Sequence, residues 1–127
     1  MKNGKKFYLE QLGYVGAGDI DGLLNNHYHD DAVMVTFDGV RKGHKELREY
    51  YEHTFASIGQ ITFMATDFFE ETDDSIIFKA TITDSKRGTV KADNALFLKD
   101  GKIYRHLSLT LLPGFDYEKQ GTIWKDE

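Results

Sequence analysis

From Ile61 to Leu111 the chain is almost continuously β-forming, and this stretch limits the folds open to it more than any other feature. Its runs are rich in β-branched and aromatic residues: Ile61 to Phe69, Ser75 to Asp84, Thr89 to Leu98 and Ile103 to Leu111. Only short turn sequences separate them, at Thr72-Asp73-Asp74, Ser85 to Gly88 and Lys99 to Gly101, and Pro113-Gly114 closes the last. Links of that length join neighbouring strands antiparallel, so the second half predicts a meander.

The first half carries helical periods instead. Tyr8, Gln11, Leu12 and Val15 fall on one face, Gly16 and Gly18 end that helix, and Asp19 is placed to cap a second. There Ile20, Leu23, Leu24, His27 and Tyr28 share a face. The pair Asp30-Asp31 precedes a short strand, Ala32 to Phe37, followed by a turn at Asp38-Gly39 and a polar stretch to Gly43. Leu47, Tyr50, Tyr51, Thr54, Phe55 and Ile58 then mark a third helix that Gly59 closes. Three helices followed by a meander predict an α+β domain, the helices covering one face of a curved sheet.

At 127 residues the chain is read as one domain spanning 1–127, with its core in about 7–112 and a tail over 113–127. The tail holds Phe115, Tyr117, Ile123 and Trp124 among charges, and is expected to dock or add an edge strand. A net charge of -5 argues against nucleic acid, which wants clustered Lys and Arg, and gives no attraction to anionic membranes. The absence of cysteine removes disulfides, thiol nucleophiles and thiolate zinc sites. The basic N-terminus lacks an apolar signal region and no run reaches a membrane span, so a cytoplasmic protein is expected.

The last hairpin decides which side chains meet, because a slip of one residue turns a whole strand face over. A two-residue Asp100-Gly101 turn pairs Leu98 with Ile103 and Asn94 with Leu107. A three-residue loop, Lys99-Asp100-Gly101, pairs Leu96 with Tyr104 and Asn94 with His106. That second register puts Asn94, Leu96, Tyr104, His106, Ser108 and Thr110 on one face, with Phe97, Ile103, Arg105, Leu107 and Leu109 opposite. The residues alone leave both registers open.

Gly18-Asp19-Ile20-Asp21-Gly22-Leu23-Leu24, then Asp30-Asp31-Ala32-Val33, then Gly43 before the third helix, resemble the nuclear transport factor 2-like superfamily. The chain is most similar to its SnoaL-like and ketosteroid-isomerase-like branch, and Asp100-Gly101-Lys102-Ile103 resembles that branch's turn into its last strand. The resemblance covers about residues 7 to 112. It implies a cystatin-like α+β conical barrel, with three N-terminal helices packed on a strongly curved, mostly antiparallel sheet around a deep pocket. It also implies a dimer and the three-residue-loop register. Steroid isomerases of the branch use a helix-one Tyr and a protonated strand Asp as oxyanion donors, with a second Asp as base. Gln11, Asn94 and Thr36 stand at those three positions here, so steroid isomerisation is not expected. The branch's cyclases place an acid two residues after a histidine; here that histidine is His106 and the position is Ser108.

His106 is the acid–base candidate, since an imidazole titrates near neutrality, and its bland alternative is a histidine that merely satisfies Asn94 or Tyr104. Asn94 is read with it as catalytic; its alternative is a structural bond to His106. Gln11, Tyr14, Thr36, Asp67, Tyr104 and Ser108 are the candidate ligand-binding residues. For Asp67 a bulge or edge position would leave it harmlessly in solvent. His27 and His29 diverge at a helix end, so no metal site is expected, and no cofactor either. His44 and His53 are expected to face solvent. Phe97, Ile103, Leu107, Leu109 and Leu111 form an apolar strip on the convex sheet side, which a second copy is expected to cover. The function expected is binding of a small apolar molecule in an internal pocket, with cofactor-free isomerisation, dehydration or cyclisation if there is catalysis. The rival reading is a non-catalytic dimeric protein-interaction module.

Overall fold

A computed structural model describes residues 4–110. Helices α1 (Gly4–Ala17), α2 (Ile20–His27) and α3 (Gly43–Ser57) alternate with two early strands, β1 (Tyr28–Thr36) and β2 (Gly39–Lys42). The meander follows as β3 (Ile61–Glu71), β4 (Ser75–Asp84), β5 (Gly88–Lys99) and β6 (Lys102–Ser108). All six strands form one sheet in the order β2-β1-β6-β5-β4-β3. Only the β1–β6 pairing is parallel. The sheet is curved but does not close: β2 and β3 are its edges, so the conical barrel is an open half-cone. The stretch read as polar loop after Asp38 is the short edge strand β2; with Val40 as its one apolar side chain it shows no alternation to reveal it. Tyr28 opens β1 rather than ending α2.

The corner between α1 and α2 is built locally. Gly18 adopts a left-handed φ of 65° and returns its N–H to Val15 O at 3.2 Å, while Asp19 N bonds Tyr14 O at 2.9 Å. Asp19 then caps α2, its carboxylate accepting from Gly22 N at 2.9 Å. Packed on the concave sheet face, the helices bury Phe7, Leu23, Leu24 and Leu47 against Met34, Ile76, Leu96 and Ile103. At the far end of the sheet the Asp84 carboxylate accepts from the backbone N–H groups of Gly59, Lys86 and Arg87 and from the Arg87 side chain. Burial pushes this carboxyl up, but those four donors outweigh it and hold the group well below the usual carboxylate range. One side chain thus fastens the β4–β5 turn to the α3–β3 connection.

The hairpin register differs from both sequence alternatives. Asp100 (φ 54°) and Gly101 (φ 78°) form a two-residue turn, pairing Lys99 with Lys102 and Leu98 with Ile103. A bulge at Tyr104 then shifts the ladder, so that Phe97 pairs with Arg105, Leu96 with His106 and Asn94 with Ser108. Two corrections follow. Ile103 is fully buried in the core rather than part of the convex strip, and Tyr104 points away from the concave face, its ring under the Arg105 guanidinium. Leu111 and the tail lie outside the described residues.

Replacing Asp19 with Ala should lower stability by about 1 kcal/mol. The check is urea unfolding, where the midpoint should fall with the slope unchanged.

Candidate functional site

The curved sheet and helices leave a hollow of about 950 Å³. Its floor is set by strand alternation. Across neighbouring strands Thr36 pairs with Ser108, Ser108 with Asn94, and Asn94 with Phe78, so one polar row crosses β1, β6 and β5. The next row, deeper under the helices, is Met34, His106, Leu96 and Ile76. Val15, Phe55, Ile58, Ile82 and Val90 supply apolar wall. Exposed residues ring the mouth: Phe37 and Asp38 from the β1–β2 turn, His53 and Ser57 from α3, and Lys86 from the β4–β5 turn. Thr110, just past β6, also lines the hollow.

The polar groups at the floor are joined in one chain. His106 Nε2 lies 2.7 Å from Asn94 Oδ1, and its Nδ1 lies 2.7 Å from the Tyr28 hydroxyl. That hydroxyl is 2.6 Å from the Tyr51 hydroxyl and 3.5 Å from Gln11 Nε2, while Gln11 Oε1 meets His27 Nδ1 at 2.8 Å. Their roles follow from donor and acceptor inventories. An amide oxygen only accepts, so His106 Nε2 carries its proton. Burial pushes the His106 imidazole down to about 3, so the ring is neutral near pH 7 and Nδ1 is bare. Tyr28 must donate to it and Tyr51 must donate to Tyr28. Burial raises both phenols above their ordinary value, which keeps them protonated for this work. At the other end Asn94 lines the hollow, its Oδ1 taken by His106.

Both nitrogens of His106 are hydrogen-bonded and burial disfavours its charged form.

Gln11, Thr36, Asn94, His106 and Ser108 come together around the hollow. Gln11 is tied to His27 and touches Tyr28 only through a long bond. Thr36 sits near the mouth, receiving a hydrogen bond from Arg41 at 2.7 Å. The other candidates lie elsewhere. Tyr14 binds Asn26 at 3.0 Å and packs edge-on against His27, outside the hollow. Asp67 occupies a bulge of β3 on the convex face, accepting from Thr81 at 2.5 Å with Lys91 at 3.7 Å. A bulge moves a residue off the face that simple alternation gives it, as happens to both Asp67 and Tyr104. His27 stacks on Phe7, ring centroids 3.8 Å apart. Burial lowers its pKa, against a smaller upward pull from Glu10. His44 reaches the Tyr28 carbonyl at 3.0 Å instead of facing open solvent. Among the described residues no cluster of His, Asp or Glu is placed to hold a metal ion, and no helix is long and apolar enough to cross a membrane.

Sequence reasoning missed three residues. Tyr28 and Tyr51 appeared only as apolar positions on helix faces, although a buried phenol needs a partner for its hydroxyl. Asp38, read as turn, is a carboxylate at the mouth. A hydrogen bond from Thr36 and the Arg41 guanidinium outweigh its partial burial and hold it below the usual range.

A sequence profile for the SnoaL-like domain matches residues 8–106, and the chain belongs to that family. No curated protein matches it. Among solved structures it resembles AclR, a putative hydroxylase from Streptomyces galilaeus, at 16% identity and a TM-score of 0.74, covering 87% of this chain and 90% of that one. An NTF-2 like protein of unknown function from Burkholderia xenovorans LB400 aligns at 16% identity and a TM-score of 0.70, over 91% and 90% of the two chains. A protein with a ketosteroid isomerase-like fold from Catenulispora acidiphila DSM 44928, in complex with trimethylamine, aligns at 13% identity and 0.63, over 79% and 82%. At such identities the shared property is the NTF2-like, cystatin-type fold.

Nitrogen-15 NMR of labelled histidine should find His106 neutral and protonated on Nε2 from about pH 8 down to about pH 4. The unfolded imidazole titrates near 6.5, so the unfolded chain takes up its proton first. This group's share of stability is therefore complete above pH 6.5 and is lost as pH falls from there toward 3. Asn94→Asp, placing a carboxylate beside Nε2, should move the His106 transition back toward neutrality.

Proposed function

We propose that the hollow binds a small, largely apolar molecule bearing a carbonyl or similar acceptor, which docks on the Asn94 amide. The observation that carries this is the direction of the hydrogen-bond chain. With His106 donating to Asn94 Oδ1, the amide offers only N–H donors, and the flanking Ser108 hydroxyl extends the same row. The apolar wall accommodates the rest of the ligand. The reaction such a donor array suits is cofactor-free isomerisation, dehydration or cyclisation, in which a carbonyl oxygen gains negative charge. In that chemistry Asn94 contacts the oxygen and His106 positions Asn94. Asp38, Glu46 and Glu49 are the carboxylates that line the hollow.

A thermal-shift screen against hydrophobic ketones, lactones and steroids tests the binding reading. Ketones should stabilise the protein more than hydrocarbons of the same skeleton. Asn94→Leu should weaken a ketone hit about three- to tenfold, the worth of one hydrogen bond of about 1 kcal/mol. Equal shifts for ketone and hydrocarbon, or an unchanged hit in Asn94→Leu, would sink it.

A second observation favours self-association. On the convex face Val40, Val35, Leu107, Ala95 and Ile77 lie in register across five strands, with Phe97 and Leu109 exposed beside them. Such a strip suits a second copy of the chain. Size-exclusion chromatography with light scattering should give a dimer mass, and Ile77→Lys should shift it to the monomer.

A further inference from the structure

We propose that Tyr51 is a second ligand contact in the hollow: its hydroxyl oxygen accepts from a ligand hydroxyl while Asn94 donates to the ligand's carbonyl. The molecule bound is then a neutral hydroxy-ketone or hydroxy-lactone on an apolar frame. This rests on the Asn94 reading above and adds the opposite end of the same hydrogen-bond chain.

The assignment follows from counting protons. A phenol has one proton to give and two lone pairs to receive with. Asn94 Oδ1 takes the Nε2 proton of His106 at 2.7 Å, and on the neutral ring Nδ1 can only accept. Tyr28, 2.7 Å from Nδ1, therefore gives its proton there. Its own lone pairs receive from Tyr51 at 2.6 Å and from Gln11 Nε2 at 3.5 Å. Tyr51 has then spent its one proton, and toward any further group its oxygen is an acceptor. Every donor points the same way, so the chain begins on an acceptor and ends on a donor.

Both ends belong to the hollow, which Tyr51, His106 and Asn94 line together. Tyr51 is 6% exposed, and its ring is held between Tyr50 and Phe55, with centroids 5.2 and 5.6 Å away. Three hydrogen bonds and one imidazole separate Tyr51 from Asn94, which keeps the two oxygens within about 10 Å of each other. That span suits two fused rings with an oxygen at each end. A ligand hydroxyl buried against Tyr51 finds an acceptor, whereas an ether oxygen there meets a second acceptor and stays unsatisfied.

The probes are decalin, 2-decalone, 6-hydroxy-2-decalone and the methyl ether of that alcohol, titrated into the unaltered protein. The advantage of 2-decalone over decalin reads Asn94 alone. The hydroxy-ketone should bind about fivefold more tightly than its methyl ether, although the ether is the more apolar. In Tyr51→Phe that order should reverse, while 2-decalone keeps its advantage over decalin. A Tyr51 that merely supports Tyr28 would weaken both ketones alike and leave their order unchanged. If Tyr51→Phe does not fold, the Tyr51 Cζ resonance of carbon-13-labelled tyrosine replaces it, and should move further with the hydroxy-ketone than with the ether. The proposal is overturned if the ether binds as tightly as the hydroxy-ketone, if the order survives Tyr51→Phe, or if the resonance moves equally with both. A hydroxyl preference without a ketone preference would sink the Asn94 reading and leave Tyr51 standing; no binding by any of the four overturns both.

Discussion

The arrangement of the site rests on the two-faced nature of a β-strand. Side chains alternate, so the placement of Asn94, His106 and Ser108 together is one decision, taken where β5 turns into β6. The Asp100-Gly101 turn alone would have set Asn94 opposite Leu107 and sent His106 to the convex side. One extra residue, Tyr104, restores the parity. His106 and Ser108 reach the floor of the hollow through that insertion, and Thr36 joins their row through the parallel β1–β6 ladder.

Much of this could be read in the amino acids. Periodicity located three helices, alternation located the meander, and Asp19 announced its capping role. The inward set of Asn94, His106 and Ser108 was also legible, although through a loop that does not exist. What sequence could not supply were the irregularities. Bulges at Asp67 and Tyr104 leave no mark in a pattern of alternation, and each removed a candidate from the hollow. β2 escaped notice because four residues with a single apolar side chain, Val40, give no readable alternation. Tyr28 and Tyr51 were visible only as greasy positions, because a phenol's hydroxyl acquires meaning from a partner distant in sequence.

Burial also bears on the histidine. An imidazole in the sequence suggests a group that exchanges protons near neutrality, and at a wet site His106 would do so. Enclosed between Tyr28 and Asn94 it is held neutral, and its contribution becomes directional: it fixes which way an amide faces. A fold shared with proteins of 13–16% identity supplies the cradle and leaves open what is done in it.

The open sheet has one more consequence, at its far border. β3 is an eleven-residue edge strand, long enough to template another chain's backbone. Register breaks after Ile61 and Thr66 interrupt its outward N–H and C=O groups, and Glu70 and Glu71 charge its end. The kinks that misplaced Asp67 in a sequence reading therefore also guard against strand-by-strand aggregation, and straightening them would favour fibrous assembly over the discrete molecule.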